Sequence, residues 1–195
     1  MISDNELLFN SLKLFYKDDY NLTKLLNYLK VDKISLRIID WFVTNYSKKY
    51  NIFYSIFLNE NDMKTFDSKD YNDKGNKHVR LFNTYHSYKS QLKSYSKKKF
   101  DPFCRRERIN FYYDDKKYIV TTVGQLNFFK WAIENLIIDY ILLHYSEIEQ
   151  DMNQSYNQIK KHKKKSNERK KRQELSKSAT RGLNNTNMKV ILDFN

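Results

Sequence analysis

Between residues 36 and 49, Leu36, Ile39, Phe42, Val43 and Tyr46 recur at steps of three and four, which lays one apolar stripe along a helix. Ser35, just ahead, supplies an N-cap. The same period predicts a helix over 4–15, where Leu7, Leu8, Leu12, Leu14 and Phe15 follow acids in the first turn. It predicts another over 21–30, where Asn21 is the candidate cap and Leu22, Leu25, Leu26 and Leu29 share a face. Residues 51–58 (NIFYSIFL) are β-branched and aromatic and read as a strand, and 59–76 as a polar loop. Over 79–96 the steps Phe82, Tyr85, Tyr88, Leu92, Tyr95 give an aromatic stripe, and His86, Lys89, Lys93 and Lys97 give a basic ridge beside it. That helix should end before Pro102, because the residue before proline avoids the helical region.

Residues 109–113 and 118–122 flank Asp114, Asp115, Lys116 and Lys117, the pattern of a hairpin with a four-residue loop. The longest predicted helix runs from 125 to about 155, with Thr121 or Thr122 near its start and Phe128, Phe129, Ala132, Leu136, Ile137, Tyr140, Ile141 and His144 facing inward. Beyond Tyr156 the periodicity disappears. The expectation is therefore an α+β fold: a mostly helical single domain over 1–156 with a small antiparallel sheet or β-hairpin. A polybasic C-terminal tail follows over 157–187, as an exposed helix extension or a flexible stretch, and a strand-like segment over 188–195. The early pair 21–30 and 36–49 invites a helix-turn-helix reading. Ile38, Ile39, Trp41, Phe42 and Val43 make the second helix too apolar to lie in a major groove, so it reads as core.

Composition narrows the class. The 195 residues contain three glycines, one proline and one cysteine, so disulfide scaffolds and Gly-rich chains are excluded. The first residues are acidic where a secretory signal is basic, and no apolar run reaches the roughly 20 residues of a membrane span, which points to a non-secreted chain without membrane partners. Thirteen Phe, 16 Tyr and two Trp supply a core. The net charge of +13 says less than its distribution, since a chain rich in Lys, Asn, Tyr and Ile also reflects AT-rich coding. Ten bases against two acids lie between residues 77 and 108, and eleven against two between 160 and 181, while the remainder of the chain is net acidic.

Three segments resemble, as a set, a family of uncharacterised proteins of giant viruses, the nucleocytoplasmic large DNA viruses of the mimivirus-like branch. They are SLRIIDWFVTNYSKKYNIFY (35–54), YKSQLKSYSKKKFDPFCRRERINF (88–111) and TTVGQLNFFKWAIENLIIDYI (121–141). The resemblance carries no assigned activity and no catalytic residue. It implies a setting, a viral factory in the host cytoplasm, a virion or the nucleus, where basic proteins serve genome organisation, transcription or packaging.

Enzymatic chemistry finds little support in the residues. Gly75, Gly124 and Gly182 are too dispersed for a P-loop or a dinucleotide fingerprint. His78, His86, His144, His162 and Cys104 show no metal spacing, so no cofactor or metal is expected. Asp114-Asp115-Lys116-Lys117 has the residue types of a Mg²⁺ nuclease, but in a hairpin turn such residues are ordinarily solvated.

The expected function is non-enzymatic binding of nucleic acid, DNA before RNA, through phosphate contacts. The residues expected to carry it begin with Lys89, Lys93, Lys97, Lys98 and Lys99, continue with Arg105, Arg106 and Arg108, and have Phe100 and Phe103 interleaved as bases-stacking candidates. In the tail they are Lys160, Lys161, Lys163, Lys164 and Lys165, followed by Arg169, Lys170, Lys171 and Arg172, runs that also match nuclear-import signals. The alternative is a virion or factory protein that docks acidic viral structural or transcription proteins through these bases and adds MKVILDF (188–194) to a partner's sheet.

Overall fold

The computed structural model describes residues 4–30, 34–58, 64–67, 77–103, 107–165 and 190–191. The chain is α+β, mostly helical, with two small antiparallel sheets. It divides into two compact units, one built from residues 1–34, 91–134 and 182–195 and the other from 35–90 and 135–181.

The first unit begins with α1 (Asp4–Phe15) and α2 (Asp19–Lys30). Asp18 caps α2: its Oδ1 accepts the Asn21 N–H at 3.0 Å. Asn21, expected as the cap, lies inside the first turn, and its amide donates back to the Phe15 carbonyl. β4 (Ile109–Tyr112) and β5 (Tyr118–Thr121) form the expected hairpin, and β6 (Val190–Ile191) pairs antiparallel with β5 on its other side. Of the terminal segment expected to add to a partner's sheet, residues 190–191 pair within the chain, and its other residues lie outside the described ones. α6 (Val123–Glu134) follows β5 directly, with the Thr122 hydroxyl accepting the Gln125 N–H as its cap. Its buried side chains include Leu126, Phe128, Phe129 and Trp131. The Tyr16 hydroxyl donates to the Leu126 carbonyl at 2.7 Å, and Tyr28 stacks on Phe129.

In the second unit Ser35 caps α3 (Leu36–Trp41) as expected, with its Oγ accepting the Ile38 N–H. The helix then widens into a π-turn over Phe42–Tyr46 and closes with α4 (Ser47–Lys49). The Thr44 and Ser47 hydroxyls donate to the Asp40 and Val43 carbonyls within this irregular stretch. Ile38, Ile39, Trp41, Phe42 and Val43 are buried, as a core helix requires. β1 (Phe53–Leu58) is the central strand of a sheet in the order β2-β1-β3, with β2 at Lys64–Asp67 and β3 at Lys77–Asn83.

Three expectations need correction. The polar loop over 59–76 contains β2; its other residues lie outside the described ones. The helix expected over 79–96 begins only at Thr84, because 77–83 pairs with β1 in the register Phe53↔Asn83, Tyr54↔Phe82, Ser55↔Leu81. There Phe82 is buried and Leu81 exposed, the two-residue alternation of a strand. The long helix over 125–155 is three: α6, α7 (Ile137–Leu143) and α8 (Tyr145–Lys165). The break falls at Leu136, in the left-handed conformation at φ 55°. Within the second unit the Tyr54 hydroxyl donates to the Asn135 carbonyl and Arg80 donates to its side-chain oxygen, so the interrupted helix end is hydrogen-bonded.

Candidate nucleic-acid interface

α5 (Thr84–Phe100) carries the basic ridge. Asn83 Oδ1 accepts the His86 N–H at its start, and Tyr88 is buried while Lys89, Lys93, Lys97 and Lys98 are exposed and Lys99 half-buried. The helix passes from the second unit into the first after Ser90. In the second unit Lys89 lies 5.7 Å from the centroid of the Tyr85 ring. In the first, α5 is kinked at Ser96, whose φ of 61° and ψ of 164° are costly for a residue with a Cβ.

That kink turns residues 97–100 onto α6. The Asn127 amide donates to the Lys99 carbonyl at 2.9 Å, and a Cβ on Gly124 would stand 2.8 Å from the Lys98 carbonyl oxygen, so only glycine admits so close a backbone. Phe100 is fully buried, with ring centroids 5.6 Å from Phe128 and 5.7 Å from Trp131. The segment expected as a loop over 97–108 is therefore, at its start, a helical turn with an anchored backbone. Phe100 and Phe103 are core residues and not free for stacking on bases; Phe103 is 9% exposed.

The lysines of this turn keep their charges outward. Among the described residues none of Lys93, Lys97 and Lys98 forms a salt bridge. Asp101 is the nearby acid; burial pushes its carboxyl up from the usual carboxylate range, against the opposing pull of the Phe103 N–H and Lys97. Lysines in a last helical turn also complement the helix dipole, a structural role any C-terminal lysine can have. Glu134 pairs with Lys130, and Glu147 faces Tyr46 and His144, so these acids of α6 and α8 have partners other than the ridge. Arg108 is exposed; Arg105, Arg106 and Cys104 lie outside the described residues. The backbone of Lys160, Lys161, Lys163, Lys164 and Lys165 forms the end of α8, while Arg169, Lys170, Lys171 and Arg172 lie outside the described residues.

The acidic turn of the hairpin is occupied locally. Lys117 donates to Asp114 at 3.0 Å and, with the Asp115 N–H, holds the Asp114 carboxyl below the usual range. Among the described residues no group of three His, Cys, Asp or Glu side chains can hold a metal ion. No helix among them is long and apolar enough to cross a membrane.

The first unit also contains a groove of about 570 Å³ between α1 and β4. Tyr16 and Phe111, both buried, belong to it, as do Phe9, Lys13, Lys17, Asn110, Tyr112 and Tyr113, and no carboxylate lines it. Sequence reasoning missed it. Phe9, Lys13 and Lys17 do recur at steps of four, but their counterpart on β4 is a hundred residues away in sequence.

A model described as "Family of unknown function (DUF7197)" matches residues 1–69 and 64–167. The chain belongs to this family. Uncharacterized protein L507 of Acanthamoeba polyphaga mimivirus is 39% identical over 173 residues, covering 85% of this chain. The chain spans 59% of that relative's length. The match to a mimivirus protein agrees with the giant-virus family of uncharacterised proteins that the three segments resemble. No solved structure matches.

Proposed function

We propose that this DUF7197 protein binds nucleic acid, DNA before RNA, through phosphate contacts and without catalysis, in genome organisation, transcription or packaging of a large DNA virus. The observation that carries the reading is the turn at Lys97 and Lys98. Its backbone is fixed by Asn127 and by the close approach to Gly124, and among the described residues its ammonium groups, with that of Lys93, form no salt bridge; Asp101, on which Lys97 acts, is itself held toward its neutral form by burial. Cations held at fixed positions and left to solvent can neutralise successive phosphates and release counterions, which gives affinity without sequence preference. Arg108 and the bases of 160–181 add to the same attraction.

The test is fluorescence anisotropy of labelled duplex DNA and duplex RNA with the full chain, across a range of salt. Binding should weaken linearly in log–log form, by about 0.9 in slope for each phosphate neutralised. A full chain that ignores both duplexes at low salt, yet retains acidic viral proteins, would replace this reading with one of protein docking.

A further inference from the structure

The α1–β4 groove combines two chemistries that one ligand class satisfies together. Phe9, Asn10, Lys13 and Leu14 fall on one side of α1, Lys17 lies in the turn after it, and Asn110, Tyr112 and Tyr113 come from β4 and the residue after it. Among the described residues β4 is an edge strand, paired with β5. Tyr112 is 58% exposed although aromatic, and its ring is backed by that of Tyr118 at 5.1 Å across the hairpin. Lys13 holds its ammonium 4.6 Å from the centroid of the Phe9 ring, and Lys17 follows in the turn that ends α1. An apolar ligand would leave the two cations unanswered, and a bare anion would leave the tyrosine face unused. A nucleotide with an unpaired base answers both, by stacking on the aromatic ring and placing phosphates at the lysines.

We infer that this groove takes a segment of single-stranded nucleic acid, with a base stacked at Tyr112 and phosphates held by Lys13 and Lys17. The inference rests on the proposed nucleic-acid binding and deepens it, because a duplex, whose bases are already stacked on one another, offers only its phosphates. A volume of about 570 Å³ is of the size of ordinary small-ligand sites and suits one or two nucleotides.

The experiment compares full-chain protein, Tyr112→Ala, Tyr112→Phe and the double variant Lys13→Gln/Lys17→Gln in anisotropy titrations with labelled oligothymidylate, oligouridylate and a duplex. Tyr112→Ala should weaken single-strand binding about tenfold, within the range of one lost stacking contact, and leave duplex binding within about twofold. Tyr112→Phe keeps the ring and should bind like the parent, which separates stacking from misfolding. The lysine variant should lower the single-strand salt slope by about 0.7 for each lost contact. The response of oligothymidylate against oligouridylate tells which strand is held. If the duplex binds but neither single strand responds to Tyr112→Ala, the groove inference is overturned and the phosphate-binding proposal stands. If no probe binds the parent protein, both fall.

Discussion

Lys49 and Lys98 are the same residue in two different trades, one in each unit. Lys49 donates to the carboxylate of Asp151, a side chain 7% exposed, which also accepts from Trp41 Nε1 and the Tyr50 hydroxyl, each at 3.0 Å. Lys98 has its carbonyl against Gly124 and its ammonium in solvent, with no carboxylate partner among the described residues. The first lysine is part of the fold and its charge is neutralised within it. The second is placed by the fold and its charge is directed outward, where it can act on a partner. Residue type therefore assigns neither role; the groups within reach of the side chain do.

The sharpest way to break this contrast is to remove Asp151. Asp151→Ala should cost about 2–3 kcal/mol, because the buried Trp41 N–H loses its acceptor and Lys49 its partner, while duplex binding is unchanged. Chemical denaturation of the variant beside the parent reads the first effect and anisotropy the second. The same carboxyl gives a pH signature. Burial pushes it up, but hydrogen bonds from Lys49, Trp41 and Tyr50 prevail and hold it below the ordinary carboxylate range. Its stabilising contribution is thus complete above the unfolded value of about 4 and disappears as pH falls through the folded value. Melting temperatures between neutral pH and pH about 3 should fall more steeply for the parent than for Asp151→Asn.

On the other side of the contrast stands the packing that fixes Lys97 and Lys98. Gly124→Ala sets a Cβ 2.8 Å from the Lys98 carbonyl oxygen, so either the turn or α6 must shift; a loss of about 1–3 kcal/mol is expected, together with weaker duplex binding. Ser96→Gly is the smallest perturbation. It removes the Cβ from a φ of 61° and should stabilise by roughly 0.5 kcal/mol, the gain being reduced by the greater freedom of glycine in the unfolded chain.

What could be read from the sequence follows the range of the forces involved. Local signals were legible: the Ser35 cap, the hairpin about Asp114 and Lys117, the β1 strand and the lysine period of α5 are each set by neighbours within a few residues. The break at Leu136 was not, because no glycine or proline marks it and the donors to Asn135, Tyr54 and Arg80, are more than fifty residues away. Residues 79–83 of β3 were read as helix because Phe82 continues the period of Tyr85 and Tyr88, and pairing with β1 decides for the strand. Phe100 and Phe103 looked available for stacking until the kink at Ser96 turned the chain onto α6. The ridge lysines were visible as a run, whereas the α1–β4 groove exists only once the two elements meet.

The most direct test of the outward role of the ridge is a salt titration of duplex DNA binding by the full chain and by Lys93→Gln/Lys97→Gln/Lys98→Gln. Removing three phosphate contacts should lower the log–log slope by about 2–3 units at about 0.9 per contact, while stability stays within about 0.5 kcal/mol of the parent. An unchanged slope and affinity would show that these lysines only solvate the helix end, and the proposed phosphate interface would be wrong.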